Sequence, residues 1–535
     1  MVTSAHPLAS QAGLSMLKQG GNAVDAAVAT TLAISVVEPF SAGIGGGGFL
    51  LVYDAKTKAT KALDFRERAP QKATRKMFLD AQGKVRSNAS TDGYLSVATP
   101  GTIAGLSDVH RKYGRLPWKT VIAPAIQLAE TGFPVNWNFV IAAKMRQKIL
   151  LESPDAQKIF TKNGKPYQIG ELLIQSELAA TLRSLAQNPN NFYTGGIADA
   201  IAIDMAKNGG LITREDLQKY RPIWRDPICG NFRKARVCSM PPPSSGGVHL
   251  LQMLNILGDT DLKALGWRSP DTLHLLVEAM RIAYADRATY LGDPDFVKVP
   301  VRSLISPAYA QKRRQEINPK KAIPSSQVKA IAPAILQQLT QESSDTSHLT
   351  VVDKDRNAVS LTFTINLGFG SGRVAKGTGI LLNNEMDDFA IAPNTPNAFG
   401  LVGGDANAIA PFKTPLSSMT PTIVTENGRL RLAVGSPGGS TIITTVLQIV
   451  LNVLVYDMDA QRAVSAPRIH HQWLPDRLLV ESWGLDTLTL EELRRRGHQI
   501  EERSGWGNAN AIVVLPDGSL EGAADPRGEG AAYGF

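Results

Sequence analysis

Only two of the 535 residues are cysteine, Cys229 and Cys238. So few thiols exclude a disulfide-stapled framework and a cysteine-rich metal site. The pair brackets Gly230-Asn231-Phe232-Arg233-Lys234, a candidate hairpin turn that would set the two thiols opposite each other. One disulfide and two buried free thiols both remain open. Long apolar runs are missing as well. The longest, Ile442 to Tyr456, is interrupted by Thr444, Thr445, Gln448 and Asn452 and is too short to cross a bilayer, so a buried helix is expected. No Gly-x-Ser-x-Gly elbow occurs, which removes the usual support for a serine-hydrolase triad. Internal repeats and low-complexity tracts are absent too.

The first residues, Met1-Val2-Thr3-Ser4, carry neither a charged nor an apolar leader. Two expectations follow: a cytosolic protein, or a numbering that begins after a lost export signal. Net charge is +9, yet the dense basic clusters are short: Lys312-Arg313-Arg314, Lys320-Lys321 and Arg494-Arg495-Arg496. No nucleic-acid module accompanies them, so solvated faces are expected and nucleic acid is excluded as a partner.

What is present is an ordinary globular composition, 43% hydrophobic and 20% charged, with 47 glycines and 32 prolines spread along the chain. Pro7 to Lys18 has helical periodicity and stops at Gly20-Gly21; Asn22 then caps a second helix, Ala23 to Val37. The run Gly43 to Gly48 feeds two strand-like segments, Phe49 to Tyr53 and Ala62 to Phe65. It lacks a Lys-Ser/Thr ending and opens no helix, so a tight turn is expected rather than a phosphate cradle. Residues 100 to 340 have mostly helix and loop character. Beyond 345, His348 to Val352 and Ala358 to Ile365 are strand-like around the turn Asp353-Lys354-Asp355-Arg356. Strands in both halves with helices outside them imply a layered α+β body.

Asp345-Thr346-Ser347-His348 sits where helical character gives way to a strand. Alone, Thr346 is only a turn residue. Thr364 and Asn366 lie 18 and 20 positions later (364 − 346, 366 − 346) and, by strand periodicity, share one face of the second strand. If that strand pairs with the one opened by Thr346, both polar groups project near it. Asn383-Asn384-Glu385-Met386-Asp387-Asp388 is a carboxylate-rich turn, and Pro415-Leu416-Ser417-Ser418-Met419 offers paired hydroxyls. Ser436-Pro437-Gly438-Gly439-Ser440 joins a strand to a helix, presenting the Gly438 and Gly439 amides where a developing oxyanion is stabilised. His470-His471 sits on a strand or loop that would point the two rings apart, and His348 is expected to be structural; no metal site is implied.

Over essentially its whole length the chain resembles the γ-glutamyltranspeptidase family. The resemblance rests on Gly20-Gly21-Asn22-Ala23-Val24-Asp25-Ala26-Ala27, Asp64-Phe65-Arg66-Glu67, Pro241-Pro242-Pro243-Ser244-Ser245-Gly246-Gly247, Leu381-Leu382-Asn383-Asn384, Pro415-Leu416-Ser417-Ser418-Met419 and Gly435-Ser436-Pro437-Gly438-Gly439-Ser440. It implies a four-layer αββα sandwich of the N-terminal-nucleophile class. It further implies self-cleavage between Asp345 and Thr346, leaving residues 1–345 and 346–535 together as a heterodimer. Thr346 would supply both the nucleophile and, through its freed α-amine, the base. By the same resemblance Arg66 would hold a γ-glutamyl α-carboxylate with Ser417 and Ser418. Glu385 and Asp388 would hold the ammonium with Asn366 nearby, Thr364 would tune Thr346, and Gly438 and Gly439 would form the oxyanion hole. Substrates would be glutathione and other γ-glutamyl compounds, with water, amino acids or dipeptides as acceptors and no metal or organic cofactor. Family habit implies a periplasmic or extracellular protein.

Two positions depart from the family pattern. Phe399 stands in the lid segment where some relatives carry tyrosine, keeping the ring and losing the hydroxyl. Ser347 follows the nucleophile where a second threonine is common. Two rival readings stand beside this one: a β-lactam side-chain (glutaryl) acylase of the same fold, and an unprocessed, inactive binding homologue.

Overall fold

Thirteen strands build two antiparallel sheets that lie face to face. In chain order they are β1 (Val2–Ser4), β2 (Gly47–Asp54), β3 (Ala59–Asp64), β4 (Ile223–Arg225), β5 (Ile228–Phe232), β6 (Ala235–Ser239), β7 (Ser347–Val352), β8 (Ala358–Thr364), β9 (Thr422–Glu426), β10 (Arg429–Gly435), β11 (Asn510–Val514), β12 (Leu520–Ala524) and β13 (Ala531–Tyr533). The first sheet has the order β13-β1-β7-β8-β2-β3-β4, and the second β12-β11-β10-β9-β6-β5. The computed structural model describes residues 1–328, 346–392 and 395–535.

Alternation along the strands explains the layering. In β2, Leu50 and Val52 join the core beneath one helical layer, whereas Phe49, Leu51 and Tyr53 join the core between the sheets. The second sheet contributes Ile423, Ala433 and Ile512 to that inner core and turns Val424, Leu432, Val434 and Val513 to the other helical layer. Strands buried on both faces need apolar residues at consecutive positions, which is why Phe49 to Tyr53 is an unbroken apolar run. The result is the expected αββα sandwich.

Helices α1 (Pro7–Lys18), α2 (Ala23–Val37), α3 (Trp118–Thr131) and α4 (Ser176–Gln187) form one outer layer. All 15 residues of α2 are buried, and the Asn22–Asp25 capping box starts it as expected. The other layer contains α5 (Gly246–Leu257), α6 (Pro270–Tyr290) and α7 (Ile442–Leu454). The Cys229/Cys238 hairpin is real: the two residues face each other across β5 and β6 and are joined as a disulfide.

One local outcome was not foreseen in the sequence, and a second agrees with it. Val2–Ser4 forms a strand between β7 and β13. Three residues are too few to show a periodicity of their own. The Gly43–Gly48 turn packs against the working end of the first sheet, where a Cβ on Gly46 would lie 1.9 Å from the Thr364 carbonyl oxygen. That close approach, rather than an anion, explains the glycines.

Candidate active site

Thr346 immediately precedes β7, and Thr364 closes β8. Ser347 pairs with Phe363 in antiparallel register, so the next residues outward, Thr346 and Thr364, meet at the sheet end. Thr346 Oγ1 donates to Thr364 Oγ1 at 3.3 Å, and the Thr364 hydroxyl accepts the Asn366 backbone N–H at 2.9 Å. Asn366 reaches the site by a different route from the one strand periodicity suggests. The strand ends at Thr364, and Asn366 adopts a left-handed φ of 77°. Its amide then donates to the Asn384 carbonyl at 3.0 Å, tying it to the carboxylate-rich turn.

That turn is a short 3-10 segment, Glu385–Asp388. Arg66, just past β3, faces it: Nη2 donates to Asp388 Oδ2 at 2.5 Å, and Nη1 lies 2.6 Å from Glu385 Oε1. The second contact is an ion pair without hydrogen-bond alignment, since neither Glu385 oxygen has an aligned donor. Burial works against the Arg66 charge, but Glu385, Asp388 and Glu67 outweigh it and raise its pKa. Burial pushes the Glu385 carboxyl well above its ordinary range and its neighbour Glu67 up to about 7, with Arg66 opposing both shifts.

These groups line a cavity of about 300 Å³ that is open to solvent, with Arg66, Thr346, Thr364, Asn366, Glu385, Asp388, Ser417, Ser418, Phe399 and Gly439 on its walls. A wider cleft of about 1190 Å³ also reaches Thr346 and is lined by Gly438 rather than Gly439. The glycine pair therefore spans the two cavities, with Thr346 common to both. Gly438 and Gly439 have positive φ, 130° and 53°, and open a 3-10 turn that runs into α7. Asp345, the other partner of the expected cleavage bond, lies outside the described residues.

Three buried groups near this site were not singled out by the sequence as site residues. Arg287 on α6 donates to Ser418 Oγ at 3.2 Å and Ser245 Oγ at 3.0 Å, locking the Pro-rich turn to the serine pair. Glu67 follows Arg66 and was only part of a motif. Glu38, at the end of α2, lines the wide cleft and accepts from Ser347 Oγ at 2.9 Å. Burial lifts its carboxyl to about 7 against the hydrogen bonds from Ser347 and Ser41. His348 is held between the Thr362 and Thr350 hydroxyls, and burial lowers it to about 3. His274, Glu278 and His498 have metal-ligand spacing, the single such group among the described residues. The two rings bond each other at 2.8 Å and Glu278 faces Arg281, while His498 Nδ1 is buried without a hydrogen-bond partner among the described residues.

Two facing sheets between helical layers, with a threonine leading a central strand, define an N-terminal-nucleophile hydrolase. A gamma-glutamyltranspeptidase family profile matches residues 9–535, and the chain belongs to that family. The glutathione hydrolase proenzyme of Escherichia coli (strain K12) is 49% identical over 531 residues, covering 98% of this chain and 90% of that protein. Among solved structures, a cephalosporin acylase from Bacillus halodurans superimposes with a TM-score of 0.87 at 31% identity, over 100% of this chain and 96% of its own. The gamma-glutamyltranspeptidase of Helicobacter pylori gives 0.60 at 46% identity, over 61% of this chain and 94% of its own.

Proposed function

We propose that this chain is an autoprocessing γ-glutamyltransferase and glutathione hydrolase acting through a γ-glutamyl ester on Thr346. Processing begins when the Thr346 hydroxyl adds to the Asp345 carbonyl. The peptide C–N bond breaks, and water hydrolyses the resulting ester. Residues 1–345 and 346–535 remain associated, and Thr346 acquires a free α-amine with a reference pKa of about 7.7–8.0. That amine takes the hydroxyl proton as Oγ1 adds to the substrate γ-carbonyl. The Gly438 and Gly439 N–H groups receive the oxyanion. Collapse expels the leaving amine, which carries away the proton held by the α-amine. Water or an acceptor amine then attacks the ester by the reverse sequence.

The reading is carried by one observation. A single cavity holds Thr346 beside a buried cation, Arg66, and two carboxylates, Glu385 and Asp388. A γ-glutamyl group has a free carboxylate and a free ammonium, so it needs both signs of charge. In this reading Arg66, Ser417 and Ser418 take the carboxylate. Asp388 and Glu385 take the ammonium, helped by Asn366. Thr364 orients Thr346, and Phe399 covers the cavity. No metal or organic cofactor takes part. The relatives named for glutathione hydrolysis and the family profile support the same assignment. Export to the periplasm or exterior is proposed as well, supported by the Cys229–Cys238 disulfide, which persists in oxidising compartments.

The test has two arms. Sequencing the smaller fragment from its N-terminus is expected to give Thr346-Ser347-His348. Hydrolysis of γ-glutamyl and glutaryl anilides, measured side by side, is expected to favour γ-glutamyl strongly. A preference for glutaryl transfers the assignment to the acylase reading. One persistent band near 57.5 kDa with neither activity leaves only a binding homologue.

A further inference from the structure

Sixteen large apolar side chains are exposed among the described residues, and seven of them fall between Trp137 and Ile174, less than a tenth of the chain. Scattered singly, such residues need no explanation; gathered this densely, they mark a surface that something covers. Ile141 and Met145 also line the wide cleft. Trp137, Leu151, Ile169, Leu172 and Ile174 line neither cavity at Thr346, so the reaction does not explain them.

The backbone brings them together. Helix Trp137–Met145 buries Phe139, Val140, Ala142 and Ala143 and turns Trp137, Ile141 and Met145 outward at four-residue spacing, so it is apolar on both sides. Just before it, Phe133–Pro134 pairs antiparallel with Leu172–Leu173. Leu173 is fully buried, while its neighbours Leu172 and Ile174 point the other way and are 52% and 47% exposed. Both reach over Gly132, where a Cβ would lie 2.9 Å from Leu172 and 2.7 Å from Ile174. Gly170 N–H donates to the Val135 carbonyl at 2.8 Å, which sets Ile169 beside the turn that opens the helix. The outer face of this ribbon is thus apolar where contact with water favours polar alternation.

Charge decides what covers it. Residues 133–175 carry six basic side chains against three acidic ones, a net of +3. Lys158 and Lys162 are paired with Glu177 and Glu171, but Lys144, Lys148 and Lys165 are exposed and make no ion pair among the described residues. Lys144 stands on the outward side of the helix, three residues after Ile141. A second copy in a two-fold interface would meet this patch with the identical patch, cation against cation. An anionic phospholipid surface meets it with opposite charge and an apolar interior. We propose that this face docks on such a surface, with Trp137, Leu172 and Ile174 entering the headgroup–acyl boundary and Lys144, Lys148 and Lys165 contacting phosphates. The attachment is peripheral, since no helix among the described residues is long and apolar enough to cross a membrane. The same helix borders the wide cleft, so docking fixes how the reacting centre faces the bilayer. This docking stands apart from the γ-glutamyl reading and does not depend on it.

The experiment sediments the purified protein with vesicles of phosphatidylcholine alone or of an equimolar mixture with phosphatidylglycerol. Wild type is expected to bind the anionic vesicles at least about tenfold more tightly, and high salt should erase most of that preference. Trp137→Ser/Leu172→Ser should weaken binding to the anionic vesicles by about tenfold or more. Lys144→Gln/Lys148→Gln should cut the preference for anionic lipid by at least about fivefold. Trp483→Ser, at a tryptophan that is 98% exposed outside the patch, should change neither. Thermal midpoints establish that each variant is folded; should the Trp137/Leu172 pair fail to fold, Ile174→Ser replaces it. Equal binding to both vesicles, binding to neither, or loss of binding in Trp483→Ser but not in Trp137→Ser/Leu172→Ser overturns the inference. So does a wild-type dimer on a sizing column that Trp137→Ser/Leu172→Ser dissociates, because a second copy then covers the face.

Discussion

Asn397 Nδ2 donates to Asp388 Oδ1 at 2.9 Å, joining the loop that carries Phe399 to a carboxylate proposed to hold the substrate ammonium. Asn397 Oδ1 also accepts the backbone N–H groups of Phe399 and Leu401, each at 3.0 Å. One side chain thus shapes the loop and docks it on the site. Asn397→Asp keeps the acceptor for both N–H groups but sets a second carboxylate against Asp388. The loop should lift, and donor KM should rise about tenfold with kcat changed much less. Steady-state kinetics on a γ-glutamyl anilide checks this. An equal fall in kcat at constant KM contradicts a docking role.

Thr346 and Thr364 are joined at 3.3 Å, which makes their variants separable. Thr346→Ala removes the attacking oxygen, so a denaturing gel should show one chain near 57.5 kDa after any incubation. Thr364→Val is close to isosteric and leaves the nucleophile but deletes its partner. Processing should still occur, slowed by about two- to tenfold for a lost neutral hydrogen bond of about 0.5–1.5 kcal/mol. A time course of band appearance measures it.

The four-layer sandwich came from the family resemblance; the strands themselves were legible from composition, Phe49 to Tyr53 as an unbroken apolar run and Ala358 to Ile365 from its β-branched residues, although the alternating Ser360, Thr362 and Thr364 are buried as well. The β7–β8 hairpin was visible for the same reason, together with its Asp353-to-Arg356 turn. Strand β1 escaped because its three residues are held by β7 and β13, neighbours more than 300 positions away in the chain. Asn366 was placed near Thr346 by the wrong mechanism, since a left-handed residue breaks the period that the argument used. Glu38 and Arg287 had no local signature at all. A glutamate before Pro39 and an arginine in a helix become informative only when the fold removes their water.

Glu38 yields a pH prediction. Its carboxyl is raised from 4.5 to about 7 by burial, so the native state binds a proton between those values that the unfolded chain releases. The contribution to stability is present below about pH 4.5 and is lost as pH rises through about 7. Glu38→Gln removes this dependence while keeping an acceptor for Ser347. Measured in the uncut Thr346→Ala background, the variant should gain stability relative to its parent between pH 5 and pH 8, by up to about 3 kcal/mol. Thermal midpoints at the two pH values give the double difference. A difference that stays constant with pH means that the native carboxyl titrates in the ordinary range.

Gly439 separates chemistry from packing at the oxyanion position. Its φ is 53°, and a Cβ there would lie 2.3 Å from the Phe399 ring. Gly439→Ala must therefore either displace the Phe399 loop or rotate the amide that would face the oxyanion. Loss of one such donor is worth about 10²–10³ in kcat, whereas displacement of a loop acts mainly through KM. The double variant Gly439→Ala/Phe399→Ala distinguishes the causes because it removes the ring and leaves the unfavourable φ. If the clash dominates, the double variant should return to the kcat of Phe399→Ala alone; if backbone strain dominates, the losses should add. Restoration is expected, because αL is accessible to alanine at about 1–2 kcal/mol whereas a 2.3 Å contact with a buried ring is not.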